Sequence, residues 1–110
     1  MGPIKVVQND KLYDLNFTLQ NADGTALDIT GVSSINFKVQ RSGSDVLKFT
    51  GTMSAVNSGT DGKCKYNVQV GNFDKFGDHY AEIEVVYSSG QTITFPGIYI
   101  KVEPELPKDN

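Results

Sequence analysis

Cysteine is nearly absent from this chain of 110 residues. Cys64 is the only one, so no intramolecular disulfide can form, which leans the chain toward folding in a reducing compartment. Tryptophan is missing, and histidine is reduced to His79. With no carboxylate or cysteine at ligand spacing around it, His79 anchors neither a zinc site nor a nucleophile–base pair, and a place at the edge of a loop is expected for it. No apolar stretch approaches the roughly 18 residues of a membrane span, and no secretory apolar region follows Met1-Gly2-Pro3. Charge of one sign never accumulates either. Nine Lys and Arg41 stand against nine Asp and four Glu, for a net charge of -3. Nucleic-acid binding needs a basic stripe, and its absence argues against that partner, as the lack of a span argues against a membrane.

What the chain has is alternation. Apolar and polar residues exchange at period two nearly throughout, the pattern of half-buried strands. Tyr13, Leu15, Phe17 and Leu19 share one face of a second strand; Ile35, Phe37 and Val39 share one face of a third. Leu47, Phe49 and Met53 point inward on a fourth, Cys64, Tyr66, Val68 and Val70 on a fifth, and Ala81, Ile83, Val85 and Tyr87 on a sixth. Ile4 to Val7 alternates less cleanly and reads as an edge or sheet-switching strand. Turn residues separate the runs at Asn9-Asp10, Asp23-Gly24, Ser42-Gly43-Ser44, Asn57 to Gly62 and Ser88-Ser89-Gly90. Seven short strands at this spacing predict an all-β, immunoglobulin-like antiparallel β-sandwich over residues 1–103, with a Pro-rich acidic exit segment over 104–110. A single helical turn is expected over Phe73 to Gly77, between strands of opposite sheets.

The last strand carries a defect with a purpose. Ile93 and Phe95 occupy odd positions, whereas Ile98, Ile100 and Val102 occupy even ones, so the inward set changes parity across Pro96-Gly97. One extra residue produces that change, and a proline without an N–H followed by a glycine suits such a bulge. Glu103 to Pro107 then leads away as an extended exit.

No arrangement of side chains announces a chemistry. Glu82 and Glu84 form the only close carboxylate pair on a strand, but period two places both on the solvent face, where neither is expected to be perturbed. Lys38 would lie beside them if the third and sixth strands pair. Cys64 alternates with Tyr66 and Val68 and reads as a small buried hydrophobe rather than a reactive thiol. The oxygen-rich loops at Asn21 to Gly24 and Asn57 to Asp61 lack the spacing of a calcium loop. The sequon Asn16-Phe17-Thr18 falls inside a strand, and Lys63, Lys65, Asn67 and Gln69 share a polar outer face. No catalytic, cofactor-binding or metal-binding residue is therefore assigned. Gly77 to Tyr80 resembles the tyrosine corner of immunoglobulin-like folds, although an inward Tyr80 would require a bulge just after it. The residues given structural roles are Pro96, Gly97, Gly77 and Tyr80.

Taken in order, Leu15-Asn16-Phe17, the turn from Ala22 to Gly31, Gly62 with Tyr66, Gly77 with Tyr80, and Gly90-Gln91-Thr92-Ile93-Thr94-Phe95-Pro96 followed by a strand ending at Val102 form a recognisable series. It resembles the immunoglobulin-like N-terminal domain of phage baseplate upper proteins. The resemblance implies a non-enzymatic virion component, assembled in the bacterial host cytoplasm into the tail. It also implies contacts with other phage tail or baseplate proteins, a homo-oligomeric parent protein, and a larger receptor-binding apparatus anchored by this module. The alternative is an adhesion or carbohydrate-binding sandwich of a bacterial surface protein, for which Tyr80 and Tyr99 are the available aromatics. Whichever holds, Phe37 is expected in the core. Truncating it to alanine should cost about 3 to 5 kcal/mol, measured by urea denaturation, and a loss below about 1 kcal/mol would show the inward face to be misassigned.

Overall fold

The computed structural model of the protein describes residues 3–106. Met1 and Gly2 lie outside it, as do Pro107 to Asn110 of the expected exit segment. Eight strands follow one another: β1 (Ile4–Val7), β2 (Asp14–Thr18), β3 (Ser34–Arg41), β4 (Phe49–Thr52), β5 (Ser54–Ala55), β6 (Lys63–Asn67), β7 (Gly77–Val86) and β8 (Thr92–Glu103). They form a five-stranded sheet in the order β1-β8-β7-β3-β4 and a three-stranded sheet in the order β2-β6-β5. The two sheets pack face to face as an immunoglobulin-like sandwich, and no helix occurs among the described residues.

Alternation accounts for most of this. Leu15 and Phe17 of β2, Ile35, Phe37 and Val39 of β3, Cys64 and Tyr66 of β6, and Ala81, Ile83 and Val85 of β7 are all buried, as period two requires when one face of each sheet meets the other. Val68, just beyond β6, continues that stripe.

Several expectations need correction. The fourth strand is two: β4 pairs with β3 in the large sheet, and β5 pairs with β6 in the small one. The chain crosses between sheets at the buried Met53, whose N–H still reaches the Ile35 carbonyl at 2.7 Å. Leu47 precedes this pairing and is exposed, as is Val70, which lies past the end of β6. The sandwich is not wholly antiparallel, because β1 runs parallel to β8 from Ile4↔Ile100 to Val7↔Glu103. No helical turn forms over Phe73 to Gly77. The chain turns at Val70 to Phe73 instead, and Asn72 closes the turn by accepting from the Gln69 N–H through its side chain at 2.9 Å.

Pro96 and Gly97 lie in an uninterrupted β8, where Ala81 pairs with Ile98 and Ile83 with Phe95. Two residues of β8 thus oppose the single Glu82 of β7, and the parity flips there. Gly97 takes φ +82°, a conformation that side chains other than glycine's rarely adopt.

The core is bridged by aromatic rings. Phe37 of β3 meets Phe17 of β2 at 5.6 Å and Tyr66 of β6 at 5.0 Å between centroids, so rings from both sheets interlock. Tyr66 can cross only because position 51 on β4 is glycine: a Cβ there would lie 2.1 Å from Tyr66 Cε1. The ring has little room to retreat, since Phe37 and Phe49 flank it and its hydroxyl donates to Asn72 Oδ1 at 2.6 Å. Gly51→Ala should therefore destabilise the fold by about 1 to 3 kcal/mol, measured as a lowered urea midpoint at unchanged m-value. An unaltered midpoint would mean that the ring swings aside freely.

Candidate functional site

The residues singled out from sequence fall in different places. Gly77 opens β7 at φ +124°. Tyr80, three residues on, is exposed on the outer face of the large sheet rather than turned inward. The bulge that would have turned it inward lies on the neighbouring strand, at Pro96-Gly97. Its ring stacks on Tyr99, its cross-strand partner, at 5.5 Å and 23°. Tyr99 donates its hydroxyl to Asp78 Oδ1 at 2.6 Å, and that carboxylate pushes the phenol up to about 12.

Lys38 does meet the carboxylate pair, but through Glu84. Its ammonium lies 3.3 Å from Glu84 Oε2, and Asn36 Nδ2 donates to Oε1 at 3.1 Å. Those two hydrogen bonds, Asn36 first, hold the Glu84 carboxyl below its ordinary value, contrary to the expectation that neither glutamate would be perturbed. Cys64 is buried, and desolvation raises its thiol to about 11, so thiolate is scarce at neutral pH. An open depression of about 330 Å³ lies between Tyr80, Lys38, Gln40, Glu82 and the Pro96-Gly97 bulge. Gln40 already donates to the Ser44 carbonyl and Lys38 is committed to Glu84, so two of its polar walls are taken up within the protein.

A different surface stands out once exposure is mapped on the topology. Three connections meet at one end of the sandwich: residues 8–13 between β1 and β2, 42–48 between β3 and β4, and 68–76 between β6 and β7. The chain also leaves β8 there. Of the seven large apolar residues exposed among the described residues, six belong to this end: Val7, Leu12, Val46, Leu47, Val70 and Leu106. Val70 is 73% exposed and Leu106 90%. The connections at the opposite end, 19–33, 56–62 and 87–91, contribute none. Scattered single exposures need no explanation, but their confinement to one end singles that end out as the candidate face.

The loops of this face are held together rather than loose. Lys48 of the second loop lies 2.8 Å from Asp74 Oδ1 of the third and donates to the Gly71 carbonyl at 3.3 Å. The hydrogen bond from Lys48 to the Asp74 side chain, together with the lysine's charge, keeps the Asp74 carboxyl below its ordinary value. The buried Gln8 donates from Nε2 to the Asp74 carbonyl at 3.1 Å and accepts from the Glu105 N–H at 3.3 Å. Asn9 donates from its backbone to the Phe73 carbonyl at 2.9 Å and from its side chain to Glu105 Oε1 at 2.6 Å. The start of the expected exit segment is thereby fastened to the face. Such cross-links lower the entropy lost when a surface is bound.

Beneath the face lies His79, expected at a loop edge and instead fully buried, with 0% of its surface exposed. Its ring meets Phe73 edge-on at 5.7 Å, its Nδ1 lies 3.1 Å from the Gly77 carbonyl, and its Nε2 is buried without a partner. Burial pushes its pKa down from the ordinary value of 6.5. The part that Gln8, Asn9, Lys48, Asn72 and Asp74 play in joining these loops has no signature in the sequence, because polar loop residues carry no periodic signal. Asn72 ties the face to the core through Tyr66 and Gln69, so Asn72→Ala should cost about 1 to 3 kcal/mol in urea denaturation and raise amide exchange at Gln69. Unchanged exchange there would remove it from this role.

A family model described as the BppU N-terminal domain matches residues 1–110 of the chain. No curated protein matches it.

Proposed function

The chain belongs to the BppU N-terminal domain family, the N-terminal domains of phage baseplate upper proteins, and from that membership we propose a non-enzymatic assembly module that docks another tail protein through the apolar end of its sandwich. The family makes it a structural component of the virion tail baseplate, and it is a baseplate family that lends no support to the adhesin alternative. The finer reading is that this domain anchors a larger, homo-oligomeric receptor-binding protein to the tail. Assembly in the host cytoplasm, without nucleic acid or membrane as partner, completes it, and the single buried cysteine is compatible with a reducing compartment.

One observation carries the choice of surface: the exposed apolar side chains gather where the loops are cross-linked and where β8 ends. Burying one such side chain at an interface is worth about 1.5 to 3 kcal/mol, so a few suffice for a specific contact. Residues 104–110 are assigned to the junction with the rest of the parent protein. Glu105 fixes the beginning of that junction against Gln8 and Asn9.

The test uses the full parent protein carrying Val46→Asp and Val70→Asp. Both positions are exposed, so the fold should keep its melting temperature. Incorporation into tails in a complementation assay, or co-purification with the other tail proteins, should fall at least tenfold. Normal incorporation of this variant, or an equal loss from Ser58→Asp with Ser89→Asp at the opposite end, would overturn the assignment.

A further inference from the structure

We propose that His79 is an acid-sensitive latch for the apolar end of the sandwich: the neutral imidazole holds the 68–76 loop in place, and protonation releases it. The geometry is that of a ring able to occupy its site in one charge state only. With its proton on Nδ1, facing the Gly77 carbonyl, the neutral ring leaves Nε2 as a bare acceptor in a buried pocket. A second proton would place a charged N–H at Nε2 with no acceptor to receive it, and an unpaired buried charge is far costlier than an unpaired neutral group.

The surroundings offer the charge little compensation. Arg41, the cross-strand partner on β3, and Lys48, from the 42–48 loop, both oppose protonation. From β8 the partner is the apolar Ile100, and from the 68–76 loop the Phe73 ring meets it edge-on. Asp74 of that loop is occupied by Lys48. Asp78 on the same strand favours the charged form, but it also receives the Tyr99 hydroxyl. Burial outweighs the favourable influence of Gly77 and Asp78, and the ring's affinity for its proton is reduced.

Leaving the pocket is the ring's route to charging. Its departure takes the edge-on partner from Phe73, whose carbonyl receives Asn9 and whose neighbour Asp74 receives Gln8 and Lys48. One event beneath the face therefore acts on all three of its loops. The sign follows from the binding of protons. The closed state has the lower pKa and the open state the ordinary 6.5, so the open state holds more protons below that pH. Closure is complete above about 6.5 and weakens as pH falls toward the buried ring's own value, the opening constant rising by up to about tenfold per pH unit. Asp74, held below its ordinary value, stays ionised between pH 7.5 and 5.5, so its pairing with Lys48 contributes no competing transition there.

The consequence for docking rests on the assignment of the apolar end as the docking face, whereas the latch itself is tested without any partner. Hydrogen exchange of the parent protein at pH 7.5 and 5.5, corrected for intrinsic rates, should show protection lost at the lower pH in residues 68–76 and 42–48. The centre of the sandwich around Phe37 and Ile83 should stay protected. His79→Gln should abolish the difference. If that variant does not fold, imidazole nitrogen shifts of the unaltered protein decide the matter, with ring protonation expected to occur below 6.5 and to coincide with loop opening. Equal loop protection at both pH values, a difference that survives His79→Gln, or a ring that charges without loop opening would overturn the latch. Failure of the Val46 and Val70 substitutions to block incorporation would leave these exchange results unchanged and would bear on the docking surface alone.

Discussion

Phe17, Phe37, Phe49, Tyr66, Phe73 and His79 touch one another through the interior, with neighbouring centroids 5.0 to 6.2 Å apart. The series begins between the two sheets and ends beneath the loops of the apolar face, so the packing that closes the sandwich also positions that face. Each aromatic pair adds about 0.5 to 1.5 kcal/mol beyond the area it buries. A side chain at position 51 would force the arrangement to shift, because there the Tyr66 ring lies against the β4 backbone. A small domain without disulfides has few other ways to couple two sheets firmly.

The two sides of the sandwich differ in consequence. On one, the passage of the chain through Met53 from β4 to β5 ties the sheets covalently. On the other, β2 borders the small sheet, while β1 covers only the last part of β8, from Ile100 to Glu103. The proline and bulge at Pro96-Gly97 fall in the portion of β8 that β1 leaves uncovered, and both are devices that discourage another strand from adding to an edge. The domain is thus guarded along its flank, while its exposed apolar side chains lie at its end.

Much of this is legible in the residues. Period two identifies the inward faces of β2, β3, β6 and β7, and the change of parity at Pro96-Gly97 locates the bulge. The same rule carries Leu47 and Val70 into strands, because alternation continues past the last ladder bond and does not register where pairing stops. His79 shares its parity with Ala81 and Ile83, which points it inward; its polarity argues for the surface, and packing against Phe73 prevails. The parallel direction of β1 and the sheet change at Met53 leave no trace in the pattern, since alternation specifies faces and not neighbours. The face itself is invisible for a related reason: its apolar residues are dispersed over four segments and become one surface only through the topology.

The parallel pairing of β1 with β8 has a mechanical meaning. The chain enters the large sheet at Ile4, beside Ile100, and leaves it at Glu103, beside Val7, so the first and last strands lie side by side and point the same way. A pull on the two ends in opposite directions along the strands loads the ladder between them in shear, all four residue pairs sharing the force, rather than peeling it open one pair at a time. For the anchoring role proposed above, a seam that must slide as a whole before it parts is the mechanically suitable arrangement.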